Sequence, residues 1–154
     1  MKVDLPHSQK GAAAIEFALV FVIFFSVLYG VLSYSFPLLL MQSFNQSTAE
    51  AVRRSMAVDP TLTGADYKAK VESVAKGVLD QQLGWMPTAM TTNISKTAVY
   101  SAGVLTVTVS LPAATLSNIL PVLKLPGGIT VPSLPNALSA QSSVQVLNLP
   151  GTQP

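Results

Sequence analysis

One carboxylate in this sequence stands where carboxylates are costly. Glu16 is the only charged residue from Ala12 to Met41, and no other Asp, Glu, Lys or Arg occurs until Glu50. A charge on an apolar helix costs several kcal/mol at a bilayer centre and less near the interface, so such residues mark function by default. Two readings stay open: a glutamate snorkelling to headgroups, or a buried acid awaiting a cationic partner whose position it would select. Ahead of it, Lys10-Gly11 closes a short polar leader, MKVDLPHSQKG, and the glycine is either an ordinary loop residue before a helix or a marker of backbone access. Ordinary catalysis has few candidates. His7 is the single histidine, it lies in that leader, and the chain has no cysteine, which excludes disulfides, thiolate zinc sites and a cysteine nucleophile. No Gly-rich phosphate loop, paired-carboxylate motif or Ser-His-Asp set is visible. The expectation is a non-enzyme with no catalytic residues, no metal site and no cofactor.

The element that must position Glu16 is the run AAAIEFALVFVIFFSVLYGVLSYSFPLLLM, residues 12–41. As a helix it reaches roughly 45 Å at 1.5 Å per residue, more than a hydrocarbon core of about 30 Å. It should span a bilayer with a tilt or project its far end beyond it. A cleaved secretory signal has a shorter apolar region followed by its small-residue cleavage site, whereas here the alanines come first. An unbroken apolar run of this length is also not the pattern of a soluble core helix. Ala14 with Ala18 and Ser26 with Gly30 place small residues four apart, a spacing that permits close helix approach but is common in any such helix. Pro37 removes one backbone hydrogen bond and should kink or loosen the helix. Residues 41–57 keep helical propensity, with Met41, Phe44, Thr48, Ala51 and Ser55 on one weakly apolar face and Asp59-Pro60 as the stop.

Beyond it, Thr63 and Asp66 have capping-box spacing, and Tyr67, Val71, Val74 and Val78, widened by Ala75 and Leu79, form the stripe of an amphipathic helix with Gly84 as its C-terminal cap. Residues 93–100 and 104–111 read as a β-hairpin around Ser101-Ala102-Gly103, with Leu105, Val107, Val109 and Leu111 alternating against Thr106, Thr108 and Ser110. The proline-punctuated stretch 112–135 reads as an extended loop, residues 142–148 as a third strand, and the tail 149–154 as frayed. The fold class is therefore α+β: a leader (1–11), a long helix (12–58, transmembrane over about 12–41), and a small domain (59–154) of one amphipathic helix on a short antiparallel sheet.

Charge narrows the partners. Only 10% of residues are charged, against roughly 25% in an ordinary soluble domain. The nine basic residues form no Lys/Arg-rich face with interleaved aromatics, so no nucleic acid is expected as a partner. Lys2 and Lys10 favour a cytoplasmic N-terminus, but Arg53 and Arg54 on the other flank weaken that inference.

The stretch Lys10-Gly11-Ala12-Ala13-Ala14-Ile15-Glu16-Phe17-Ala18-Leu19 resembles the N-terminus of TadE-like minor pseudopilins of tight-adherence pilus systems, within the type IV pilin superfamily. The resemblance is strongest over residues 10–36, and for the C-terminal half it rests on architecture alone. It implies that a prepilin peptidase cuts after Gly11, that Ala12 becomes the new N-terminus, and that Glu16 is the fifth mature residue. Phe17 follows the glutamate as is common in TadE-like chains, where major Flp pilins usually carry Tyr. Glycine suits such a cut, since it lets an extended backbone pass closely through a protease cleft and should interrupt the helix there. In an assembled fibre the Ala12 amine of one copy would then pair with Glu16 of another. The resemblance implies as partners the peptidase, other pilin and pseudopilin subunits, an inner-membrane assembly platform and the lipid bilayer. It implies a single-pass protein of the bacterial inner membrane with its N-terminus cytoplasmic and its domain exported, and an extracellular pilus after assembly. The alternative is an uncleaved single-pass accessory protein of a pilus or secretion machine.

Overall fold

Helix α1 runs unbroken from Ser8 to Ser55, 48 residues, in the computed structural model, which describes residues 8–62, 64–119, 121–124, 128 and 130–146. Leader residues 1–7 with Lys2, Asp4 and His7, the Thr63 cap, Pro126, Gly127, the last two residues of the expected third strand (147–148) and the tail 149–154 lie outside the described residues. Two environments divide α1. From residue 11 to 32 no side chain is buried, and Ile15, Phe17, Val20, Phe21, Ile23, Phe24 and Val27 are all more than half exposed. Those 22 residues rise roughly 33 Å, close to the thickness of a hydrocarbon core. From Ser33 onward a single face is covered, through Pro37, Leu40, Phe44, Ser47, Thr48, Ala51 and Ser55. This 3.6-residue stripe contains the face foreseen for residues 41–57, with Phe44, Thr48, Ala51 and Ser55 buried and Met41 half-buried. The helix continues through Pro37, whose ring lies on the covered side.

What covers that stripe is the rest of the chain. Helix α2 (Gly64–Gln82) buries Val71, Ala75, Val78 and Leu79, and half-buries Tyr67 and Val74, as its spacing predicts. A short helix α3 (Thr88–Thr91) leads into strands β1 (Ser95–Ser101) and β2 (Val104–Pro112). After helix α4 (Ala113–Ser117) come a two-residue pair, β3 (Leu123–Lys124) with β4 (Thr130–Val131), and then β5 (Ala137–Gln145). The main sheet is antiparallel in the order β1-β2-β5. On the central strand Leu105, Val107, Val109 and Leu111 are fully buried, while Thr106, Thr108 and Ser110 face away. Helix α1 packs on β5, β2 and α2, and α2 reaches β1, so both helices lie on one face of the sheet over a single apolar core. The polar groups caught in this interface are satisfied. Thr48 and Ser142 hydroxyls lie 3.0 Å apart, and the Ser55 hydroxyl donates to the Ala51 carbonyl at 2.8 Å. Small Ser, Thr and Ala side chains on α1 let it approach the sheet closely without leaving unpaired groups.

Four local expectations change. The hairpin turn has two residues, not three, because Ser101 pairs with Val104; Ala102 (φ 49°) and Gly103 (φ 77°) both take left-handed backbone, as a type I′ turn requires. Gly84 does not cap α2 in a left-handed conformation. Instead the α-helical bonding runs on through Leu83 N–H to Leu79 O at 3.0 Å and the chain then tightens, Gly84 N–H donating to Gln81 O at 3.4 Å and Met86 N–H to Leu83 O at 3.2 Å, with Leu83 and Met86 in the core. Strand β5 starts at Ala137, earlier than the β-propensity of its sequence suggests, because pairing with β2 along its full length overrides local preference. The proline-rich stretch holds α4, β3 and β4 rather than extended loop alone, and α4 begins directly after Pro112, whose fixed φ (−59°) suits entry to a helix. At the end of α1, Glu50 accepts from Arg53 (2.7 and 2.8 Å) and Arg54 (2.7 Å), and these bonds, Arg53 foremost, hold its carboxyl down at about 2. Both cations sit in the last turn, where the helix dipole favours them.

Candidate processing and assembly site

The residues singled out by sequence all lie on α1, ahead of its contact with the domain. Gly11 and Ala12 are exposed, and Gly11 is the fourth residue of the helix, within its first turn. The expectation that Gly11 interrupts the helix is not met. The alanines that follow propagate one helical turn back through it to Ser8. A peptidase would therefore have to unwind one terminal turn, which contains no acidic residue to favour its dipole. Glycine lowers that cost by about 1 kcal/mol relative to alanine.

Glu16 is exposed on the bare segment, four residues after Ala12 and hence on the same face about 6 Å further along the axis. At that depth it lies inside the apolar run but near its start. Helical side chains lean toward the N-terminus, so the carboxylate points toward the level of Ala12. Phe17 begins a ladder not foreseen from the sequence: Phe17, Phe21, Phe25 and Tyr29 stack ring on ring at 5.9, 6.1 and 6.5 Å. The signal was the i, i+4, i+8, i+12 recurrence of aromatics, which is hard to notice in a run where every residue is apolar. Ala14 and Ala18 stand seven residues before Phe21 and Phe25, so one face carries a notch of small residues beside a ridge of rings. Ser26 and Gly30 lie elsewhere. They precede Ser33 and Pro37 by seven residues and share the domain-facing side, where both are half-buried. The Ser26 hydroxyl turns back to the Val22 carbonyl at 2.7 Å, and a side chain at Gly30 would meet nothing within 4 Å.

An unburied helical segment, apolar but for Glu16, that continues without a break into the core of a small α+β domain fits a class: single-pass membrane proteins whose anchor is part of the fold. Helix α1 is the one helix among the described residues long and apolar enough to cross a membrane, and its most apolar stretch is entirely unburied. A cleavable signal is a poor fit, since cutting after the run would sever a helix that the domain core uses. The family model for TadE-like proteins matches residues 11–53, from the glycine to the last turn of α1, so this stretch of the chain is similar to TadE-like proteins. No curated protein and no solved structure matches the chain.

Proposed function

We propose that the chain is a structural subunit, a minor pilin or pseudopilin cut after Gly11 by a prepilin peptidase and then incorporated into, or priming, a tight-adherence pilus. The observation that supports this most directly is the lone exposed carboxylate of Glu16, one turn from Ala12 on a stretch of helix with no other charge from Ala12 to Ala49. After the cut, Ala12 carries an ammonium group. In a bundle of such helices that cation meets Glu16 of a neighbouring copy in a dry setting, where a matched pair is tolerated and a mismatched charge is penalised heavily. The pairing sets the stagger between subunits and rejects an unprocessed chain, whose amide nitrogen carries no charge. The ridge of rings and the Ala14/Ala18 notch supply the apolar contact that accompanies it. On this reading the protein waits in the inner membrane, N-terminus cytoplasmic and domain exported, until the assembly platform extracts it. It is a substrate and a building block, not an enzyme.

Glu16→Ala should leave cleavage at Gly11 intact, as read by the mature N-terminus, while sharply reducing the amount of subunit recovered in sheared fibres. Normal incorporation of the variant would remove the pairing from the account. The alternative, an uncleaved single-pass accessory protein, draws on the helix running unbroken through Gly11, and it predicts a mature chain that keeps its leader.

A further inference from the structure

The domain does not stand clear of the bare helix. Two hydrogen bonds draw the proline-rich stretch down along it: the Tyr29 hydroxyl donates to the Pro121 carbonyl, and the Ser133 backbone N–H donates to the Tyr34 hydroxyl at 2.9 Å. Tyr29 and Tyr34 lie roughly 26 and 33 Å along the helix from Ala12, which brackets the far boundary of a hydrocarbon core about 30 Å thick. Tyrosines favour that boundary, with ring in lipid and hydroxyl among polar groups. The chain segment bonded to them is therefore held at the same level.

That segment is apolar and open. Ile119, Val122 and Leu123 are 43%, 42% and 37% exposed, next to a shallow groove of about 230 Å³ whose lining has no charged group. Lys124 follows, with an apolar stem and a cationic head suited to lipid phosphates. A second feature arrives at this end by another route. β1 enters the sheet at Ser95 opposite Ser110, near the end of β2 that leads into α4, and α3 packs against α4. Trp85, in the turn between α2 and α3, thus belongs to the same end of the domain and is 59% exposed. The Asp80–Lys96 ion pair nearby is internally neutralised.

We infer that this end of the domain, through Trp85, Ile119, Val122 and Leu123, docks on the lipid surface beside its own helix. The inference rests on the reading of α1 as a membrane span. Its occupant is the bilayer: the tyrosine anchors set the depth, the apolar side chains enter the headgroup boundary, and Lys124 reaches the phosphates. A docked domain is held in one orientation while its anchor remains in lipid, and extraction into a fibre would have to detach both.

The chain has no cysteine, so single thiols can be introduced for an environment-sensitive fluorophore at Val122→Cys, at Ile119→Cys as a second position on the patch, at Val22→Cys on the bare helix and at Ser143→Cys on the outer face of the sheet. The full chain is reconstituted in phosphatidylcholine vesicles containing a minority of phosphatidylglycerol. Quenching is read with lipids carrying a nitroxide near the headgroup or deep in the acyl chain, and with iodide on both sides. Positions 122 and 119 should be quenched severalfold more by the shallow nitroxide than position 143 and shielded from iodide, with position 22 quenched by the deep nitroxide. If 122 and 119 behave like 143 while 22 is in lipid, the docking is wrong and the span stands. If 22 is itself open to iodide, the span fails and the docking with it. Shielding of 122 and 119 from both iodide and nitroxide would overturn the proposal in favour of a protein cover.

Discussion

Gly11→Leu should abolish removal of the first eleven residues and, with it, recovery of the subunit in fibres, while the domain folds and melts as before. The separation is possible because a Cβ at Gly11 meets nothing within 4 Å: the folded chain has room for a larger side chain there. A peptidase cleft that must admit an extended backbone closely does not. Leucine also favours the terminal helical turn by roughly 0.8 kcal/mol over glycine, so the unwinding that exposes the Gly11–Ala12 bond becomes harder as well. Intact mass of the membrane-extracted protein reads the outcome. Gly11→Ala, with one methyl group added, should fall between the two. Normal processing of Gly11→Leu would show that the bond is not recognised through glycine.

The second large effect concerns stability. Phe44 is fully buried where α1 crosses the sheet, and Phe44→Ala should cost about 3–5 kcal/mol, through lost burial and the cavity left behind. A small domain has about 5–15 kcal/mol in total, so melting in detergent should fall by on the order of 20 °C. Phe21→Ala makes the control. Phe21 is an equally large ring on the same helix, but it lies on the bare segment and is 52% exposed, so the melting temperature should stay within a few degrees of the parent. Equal effects from both substitutions would contradict the division of α1 into a lipid-facing part and a core-forming part. That division also makes the anchor and the domain one mechanical unit: a pull on the bare segment reaches the sheet directly through a continuous helix.

Much of this was legible wherever periodicity is strong. The α2 stripe of Val71, Val74 and Val78 and the strict alternation of Leu105 to Leu111 name both the elements and their buried faces, because a period of 3.6 or 2 leaves no other surface to bury. Where apolar residues are continuous, periodicity carries no information. Hence the aromatic ladder on α1 and the domain-facing side of Ser26 and Gly30 emerged only once the helix was seen against the domain. Turn register is ambiguous by one residue in the sequence because Ser101 is as acceptable in a strand as in a turn; only its pairing with Val104 decides. The start of β5 is not legible in the sequence because Ala137 to Gln141 contains no β-branched residue, and its strand conformation comes from β2 alongside it. The short helix after Pro112 was hidden by the prolines, which signal interruption more loudly than the Ala-Ala-Thr-Leu that follows signals helix. Of the candidate site, the types and spacing of Gly11, Ala12 and Glu16 are legible, whereas the helical state of Gly11 is not, since a glycine at a helix start can lie on either side of the boundary.

The account turns on a free amine at Ala12. N-terminal sequencing, or intact mass, of the protein isolated from a cell that assembles the pilus measures this directly. The predicted result is a chain beginning Ala12-Ala13-Ala14-Ile15-Glu16. A protein that still carries residues 1–11 while pili form normally would contradict it.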